Sequence, residues 1–205
     1  MLAVLSEAVS PSRSIHFGVG NIDHGFIGPL LIQSGYHVVF ADIDKTLIKN
    51  INKHGEYSVH ILDPKRPPPM LILNVSGIMS MSDNLIKEIV NPAIDIITTS
   101  VGVNVLPRIA GTLAKGIQEC KKAGGGPVNV IACENTLGMT AQLTKAVDRY
   151  FLDEDQEYVE KNVGFVMCSI DHIVPPFEHK LPLNVGVESF VVSFRSNLNT
   201  GNDLR

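Results

Sequence analysis

Apolar segments of strand length alternate with helical patterns along most of this 205-residue chain. The strand patterns occupy residues 15–17, 37–41, 94–99 and 128–132. Each is followed by apolar residues that recur at the spacing of one helix face. Strands that are separated by single helices form βαβ units and a mostly parallel sheet. The sequence therefore predicts an α/β fold, a Rossmann-type doubly wound sheet with helices on both faces.

Shorter strand patterns fill the remaining parts of the chain. Residues 57–62 alternate between apolar and polar types, which predicts a strand, and the proline-rich residues 63–69 predict a loop. Further short strands are expected at 71–75 and 77–80, where they would form a sheet edge, and at 164–170 and 185–192. We expect the strand and helix patterns to belong to one domain.

Composition limits the classes of function. Hydrophobic residues make up 44% of the chain and charged residues 19%, which is enough apolar content for a packed core. The net charge of −4 gives no reason to expect nucleic acid or an anionic membrane as a partner. The three cysteines form no C-x-x-C pair, so we expect reduced thiols and no metal site. The sequence carries no signal-peptide or membrane-span pattern, and we expect a cytoplasmic protein.

A glycine-rich turn follows the first strand pattern and precedes the first helix pattern. Gly18 would allow a tight turn, and Gly20 would leave room for a pyrophosphate to approach the backbone N–H groups. An ordinary tight turn would also explain the two glycines. If the turn binds a dinucleotide, the residues in contact with it are Phe17, Gly18, Val19, Gly20, Asn21 and Ile22.

An acidic residue, Asp42, ends the second strand pattern. A carboxylate at this position accepts hydrogen bonds from ribose hydroxyls and repels a 2′-phosphate, so it favours NAD over NADP. The alternative is that Asp42 only caps the following helix. The nearby Asp44 is expected to face solvent.

Two further polar or glycine-bearing groups follow strand patterns. Val101 and Gly102 come after 94–99, and Glu134 and Asn135 come after 128–132. Ligands of open α/β sheets bind beyond the carboxyl ends of the strands, so these groups outline a cofactor site and a reacting centre. Each group could instead cap a helix, Asn135 in particular. A methyltransferase would share the first turn and the acidic residue, but not the Cys-Glu-Asn group.

Three stretches together resemble the long-chain mannitol dehydrogenase family. They are His-Phe-Gly-Val-Gly-Asn-Ile at 16–22, Ala-Cys-Glu-Asn at 132–135 and Asp-His-Ile-Val-Pro-Pro at 171–176. The resemblance extends over nearly all of 15–190. It implies an NAD-dependent hydride transfer that interconverts mannitol 1-phosphate and fructose 6-phosphate. It also implies that Glu134, Asn135 and Asp171 lie near the nicotinamide and the sugar phosphate.

The family organisation implies three regions in this chain. An N-terminal extension would occupy 1–13 and an NAD-binding Rossmann domain 14–192. Residues 193–205 form a polar tail at the place where the helical substrate domain of the family begins. The family's catalytic lysine lies in that helical domain, so no catalytic residue is assigned here. We expect the 205-residue chain alone to be inactive, and the alternative to an enzyme is a nucleotide-binding remnant.

The chain departs from the family pattern at several positions. Asp23 and His24 stand where the family usually has Gly-Arg, and His172 stands where it has Arg. The family also has Asn at the position of Met167. The two histidines are expected to be surface or hydrogen-bonded side chains rather than bases. Lys180 is expected to lie in a solvated loop.

Overall fold

A computed structural model describes residues 12–62, 67–168 and 183–187. In chain order the strands are β1 (Arg13–Phe17), β2 (His37–Asp42), β3 (Tyr57–Ile61), β4 (Met70–Ile72), β5 (Val75–Met79), β6 (Ile94–Thr99), β7 (Val128–Ala132), β8 (Val163–Val166) and β9 (Val185–Val187). Six of them form one sheet in the order β5-β2-β1-β6-β7-β8, and every pairing in it is parallel. The chain winds outward from β1 in one direction and then from β6 in the other. This is the predicted Rossmann-type, doubly wound architecture, and its switch point lies between β1 and β6.

The helical segments connect these strands. They are a π-helical turn (Asp23–Ile27), α1 (Gly28–Gln33), α2 (Lys45–His54), α3 (Asp83–Ile89), α4 (Leu106–Ala123), α5 (Met139–Asp148) and α6 (Asp153–Asn162). The π-helical turn replaces the first turn of the predicted first helix. Single π-turns inside helices occur often at functional sites.

The sheet is buried on both faces, as strand β2 demonstrates. Val39 and Ala41 belong to the cluster formed with α3, α4 and α5, whereas Val38 and Phe40 belong to a second cluster on the opposite face. Successive residues of a strand point to opposite faces, so the continuous apolar run of β2 supplies both clusters. Among the described helices, none combines the length and apolar content that crossing a bilayer would require.

A second, smaller sheet was not predicted. Strand β3 pairs antiparallel with β4 and parallel with β9, which brings residues near 60 and near 186 together. The predicted strand at 71–75 is two strands, because β4 ends at Ile72 and Asn74 adopts a positive φ of 60°. The prediction for 164–170 extended too far, since β8 ends at Val166 within the described residues. The proposed domain boundaries at 13 and 192 remain predictions.

Candidate functional site

A cleft of about 500 Å³ opens at the carboxyl ends of the strands, at the switch point between β1 and β6. Its volume lies within the range of small-molecule sites, roughly 300–1,000 Å³. It is lined by Phe17, Gly18, Val19, Gly20, Asp23, Ala41, Asp42, Ile43, Ser80, Met81, Ser100, Val101, Val105, Arg108 and Ile109. The predicted residues Phe17 to Gly20, Asp42 and Val101 thus share one cavity. Asn21, Ile22, Gly102 and Asn135 are not among its lining residues.

The glycine-rich turn is held tightly at Gly18. Its φ is +113°, which side chains rarely adopt, and its N–H donates to the carbonyl oxygen of Ala41 at 2.9 Å. A Cβ at this position would lie 2.7 Å from Oδ2 of Asp23. Glycine is therefore required here for both its backbone conformation and its lack of a side chain.

Asp23 is buried beneath the turn, with only 2% of its surface exposed. Its carboxylate accepts a hydrogen bond from the N–H of Gly20 and lies 2.9 Å from Nε2 of His16. Nδ1 of His16 lies 2.6 Å from Oγ1 of Thr98. The Asp23 side chain thus links the turn to His16 and, through the His16 ring, to Thr98. The amide of Gly20, a residue that lines the cleft, is thus already hydrogen bonded to a side chain of the same protein.

His24 is buried and hydrogen bonded rather than exposed. Its Nδ1 donates to the carbonyl oxygen of Gly20 at 2.5 Å, and its ring packs edge-to-face on Tyr57 with 5.5 Å between centroids. Burial lowers the pKa of His24, against the raising effects of the Gly20 carbonyl and the Asp23 carboxylate. These contacts agree with the expectation that His24 is a structural side chain.

Asp42 and Asp44 have separate roles. Asp44 is the N-cap of α2, because its Oδ1 accepts from the N–H groups of Thr46 and Leu47 at 2.7 and 3.1 Å. Asp42 is half-buried, lines the cleft and accepts from the N–H of Asp44 at 2.8 Å. The alternative that Asp42 caps the following helix is wrong, which leaves its second carboxylate oxygen available to a ligand.

Glu134 connects the loops that follow β6 and β7. It is 7% exposed, and its Oε2 accepts from the N–H of Gly102 at 3.0 Å. Burial raises the pKa of the Glu134 carboxyl, while the N–H groups of Gly102 and Val101 act in the opposite direction. This hydrogen bond fixes the backbone next to Val101, which lines the cavity.

Some buried polar atoms at this edge have no partner within the described part of the chain. They include Oε1 of Glu134 and Oγ of Ser100, the latter on the cleft wall. Buried polar atoms are rarely left unpaired, so such atoms at a cavity indicate a place for a ligand. Asn135 is exposed and does not cap α5, whose N-cap is Gly138. Asp171, His172 and Lys180 lie outside the described residues.

Sequence reasoning missed several residues of the cleft. Arg108, in the first turn of α4, is the cation among the lining residues, and Ser80 and Ser100 add hydroxyl groups. The helical spacing of apolar residues after 94–99 predicts a buried helix face there, but it does not show that the side chain of Arg108 reaches the cavity. Among residues 12–62, 67–168 and 183–187, the His, Cys, Asp and Glu side chains form no group of three that could hold a metal ion.

The burial of Glu134 leads to a pH-dependent prediction for stability. The folded protein binds the Glu134 proton more tightly than the unfolded chain, whose carboxyl has the ordinary pKa of 4.5. This contribution to stability is therefore complete below that pKa and is lost as the pH rises through the higher folded pKa. Glu134→Gln keeps a side-chain oxygen that accepts from the Gly102 N–H but cannot ionise. The variant therefore does not lose this stability as the pH rises. The unfolding temperature of the variant, relative to the unmodified chain, should rise between about pH 4 and neutrality.

The control for this prediction is Glu154→Gln, at an exposed carboxylate in α6. That variant should show no comparable trend in the difference of unfolding temperatures. If the difference in unfolding temperature between Glu134→Gln and the unmodified chain stays constant over this pH range, burial does not raise the pKa of Glu134 and the prediction is wrong.

Comparisons with known proteins agree with this geometry. The family model of the mannitol dehydrogenase Rossmann domain matches residues 12–195. A mannitol-1-phosphate 5-dehydrogenase of Bacillus velezensis is 42% identical over 178 residues, which is 86% of this chain and 47% of that protein. The same enzyme of Geobacillus stearothermophilus is also 42% identical, over 86% of this chain and 46% of its own. The chain thus spans about half the length of these curated relatives.

Solved structures share the fold. The Pseudomonas fluorescens mannitol 2-dehydrogenase ternary complex with NAD and D-mannitol superposes with a TM-score of 0.74 at 13% identity, over 91% of this chain and 51% of that one. A substrate-free D-sorbitol dehydrogenase gives a TM-score of 0.73 at 17% identity, over 92% of this chain and 50% of that one. At these identities the likeness concerns the fold alone.

Proposed function

This chain belongs to the mannitol dehydrogenase family, and we propose that its cleft binds NAD as part of an oxidoreductase that acts on a polyol phosphate. The observation that carries the proposal is the cleft itself. The glycine-rich turn, Asp42 and the loop at Ser100 and Val101 meet in one cavity at the switch point of the sheet. In open α/β sheets this is where dinucleotides bind.

The residues of the cleft fit a dinucleotide in most respects. Asp42 lines the cleft and would accept hydrogen bonds from the ribose hydroxyls, and Val19, Val101 and Ile109 supply apolar walls. Arg108 offers a positive charge to the anionic part of the ligand, and the unpaired Oγ of Ser100 offers a hydroxyl. The Asp23 carboxylate opposes this fit, because it holds the Gly20 amide that would otherwise face the pyrophosphate.

When bound, NAD supplies the acceptor for the hydride that leaves the substrate carbon. This chain's own residues bind and orient it. Glu134 fixes the loop at Val101 and Gly102, and its unpaired Oε1 is proposed to accept a hydrogen bond near the reacting centre. Asn135 and Asp171 are proposed to lie on the substrate side, by resemblance to the family.

The proposed substrates are mannitol 1-phosphate and fructose 6-phosphate. Support comes from the two curated relatives, both of which are mannitol-1-phosphate 5-dehydrogenases and match over 86% of this chain. The proposed NAD-binding domain extends over residues 14–192. The second candidate function is weak nucleotide binding without turnover, and the Asp23 carboxylate favours weak binding because it holds the Gly20 amide. Calorimetric titration of the 205-residue chain with NAD tests the binding site, and absence of binding at millimolar cofactor would refute it.

Asp42 should determine the choice of cofactor. Its carboxylate accepts hydrogen bonds from ribose hydroxyls and repels a 2′-phosphate, so the unmodified chain should bind NAD more tightly than NADP. Asp42→Ala should reduce this preference, because it weakens the binding of NAD and removes the repulsion of the 2′-phosphate of NADP. The measurement is the ratio of the two dissociation constants for both chains. Asp44→Ala serves as the control, because Asp44 caps α2 outside the cleft, and equal binding of both cofactors by the unmodified chain would contradict the prediction.

A further inference from the structure

Two cysteines meet beyond the carboxyl ends of neighbouring strands. Strands β7 and β8 are parallel, with Ile131 opposite Val166. If this register is continued for two residues past the paired positions, Cys133 comes opposite Cys168. Side chains two residues apart point to the same side of a strand, so both thiols project to the same face. Their side chains pack in one small apolar cluster together with Ile27.

The backbone on both sides of this pair is fixed. The N–H of Cys133 donates to the carbonyl oxygen of Thr99 at 2.7 Å. Oγ1 of Thr140 donates to the carbonyl oxygen of Val166 at 3.1 Å and accepts from the N–H of Ala132 at 3.4 Å. The single hydroxyl of Thr140 therefore ties the ends of both strands together. This restricts the separation of the two cysteines to the spacing of neighbouring strands.

That spacing suits a disulfide. Neighbouring strands lie about 4.8 Å apart, and disulfides join residues whose Cα atoms are about 4.4–6.8 Å apart. Both thiols are free and they are hydrogen bonded to each other. We propose that Cys133 and Cys168 form a reversible intrachain disulfide, a redox-sensitive modification site beside the cofactor cleft.

The environments of the two thiols give each a role. Cys133 is buried, whereas Cys168 is half-buried and open to a small oxidant. The hydrogen bond from Cys133 lowers the pKa of Cys168, against the effect of its burial. The same hydrogen bond and burial raise the pKa of Cys133. Cys168 is thus the thiol that reacts first and Cys133 the one that resolves the product.

The oxidant is a hydroperoxide. The Cys168 thiolate attacks one oxygen, a sulfur–oxygen bond forms, the oxygen–oxygen bond breaks and the other oxygen leaves as an alcohol or water after taking up a proton. The Cys133 sulfur then attacks the sulfenic sulfur, and the disulfide forms as hydroxide leaves and combines with the Cys133 proton to give water. Two electrons pass from the thiols to the hydroperoxide. A dithiol reverses the reaction by thiol–disulfide exchange.

The disulfide would act on the cleft through Glu134, the residue after Cys133. Its carboxylate holds the Gly102 amide at 3.0 Å, next to the cleft residue Val101. Drawing Cys133 toward Cys168 displaces that carboxylate. Oxidation should therefore weaken NAD binding, a consequence that rests on the proposed function.

To test the proposal, the 205-residue chain is treated with hydrogen peroxide and its disulfides are mapped by mass spectrometry. We expect two of the three thiols to be lost in one Cys133–Cys168 link, which a dithiol restores. The control is Cys120→Ser, because Cys120 is buried in α4, where its thiol donates to the carbonyl oxygen of Ile89, and this variant should form the same link. Cys133→Ala and Cys168→Ser should lose the link. A link through Cys120, a link between chains only, or three surviving thiols would overturn the proposal.

Cofactor binding is measured separately on the reduced and the oxidised chain. A loss of NAD affinity on oxidation, recovered with a dithiol and absent in Cys168→Ser, supports the regulatory effect. Unchanged affinity in a chain whose link is mapped would overturn that effect while leaving the modification site in place. Failure of the reduced chain to bind NAD would count against the proposed function and not against the disulfide, which mass spectrometry reports independently.

Discussion

Asp23→Gly is expected to increase the affinity of this chain for NAD at least about tenfold, which corresponds to 1.4 kcal/mol or more. The Asp23 carboxylate accepts the Gly20 N–H that would otherwise face the pyrophosphate, and it is 2% exposed. Two unit charges of the same sign about 5 Å apart repel by roughly 3 kcal/mol at an effective dielectric near 20. Removing the side chain removes this repulsion and frees the amide. The dissociation constant is measured by calorimetry at fixed ionic strength.

A second variant distinguishes electrostatic repulsion from steric obstruction by the Asp23 side chain. Asp23→Asn keeps the size of the side chain and its acceptor for Gly20 but carries no charge. It should recover part of the affinity gained by Asp23→Gly if repulsion dominates, and none if the side chain only obstructs the ligand. Both variants leave His16 without its charged partner, so their thermal unfolding is compared with that of the unmodified chain. Unchanged affinity in two folded variants would contradict both accounts.

The 205-residue polypeptide is expected to show no measurable oxidation of NADH with fructose 6-phosphate. Reduction of a ketone develops negative charge on its oxygen, and a positioned acid must deliver a proton. Among the described residues that line the cleft, the cation is Arg108, whose guanidinium is a poor proton donor, and none of them is a lysine. Loss of a general acid lowers the reaction rate by a factor of about 10²–10⁴, and poor positioning of the substrate lowers the rate further.

The comparison for this experiment is a chimera. Residues 12–195 match the family's Rossmann domain, so this part is joined to the remaining half of the Bacillus velezensis relative. The chimera should oxidise NADH at least about a hundredfold faster than the 205-residue chain, the lower limit for a restored general acid. Comparable turnover by the two proteins would show that a residue of this chain donates the proton.

Several features of the site could be predicted because they depend on local sequence. Gly18 and Asp42 follow strand patterns, and the carboxyl ends of parallel strands necessarily meet at one edge of the sheet. Their presence in the same cleft follows from this geometry. The departure of Asp23 from the family pattern was visible as well. The deep burial of the Asp23 side chain could not be predicted, because the sequence does not show that the carboxylate contacts Gly20 and His16.

The sequence by itself determined the doubly wound sheet, since apolar strands that alternate with amphipathic helices can bury both sheet faces in few other ways. Tertiary structure decided the contacts between residues far apart in the chain. It brought Glu134 to the amide of Gly102, placed Arg108 in the cleft and packed Cys133 and Cys168 in one apolar cluster. It also paired β3 with β9 in a second sheet. Periodicity shows which face of an element is buried, but the partner across that face depends on how distant segments pack.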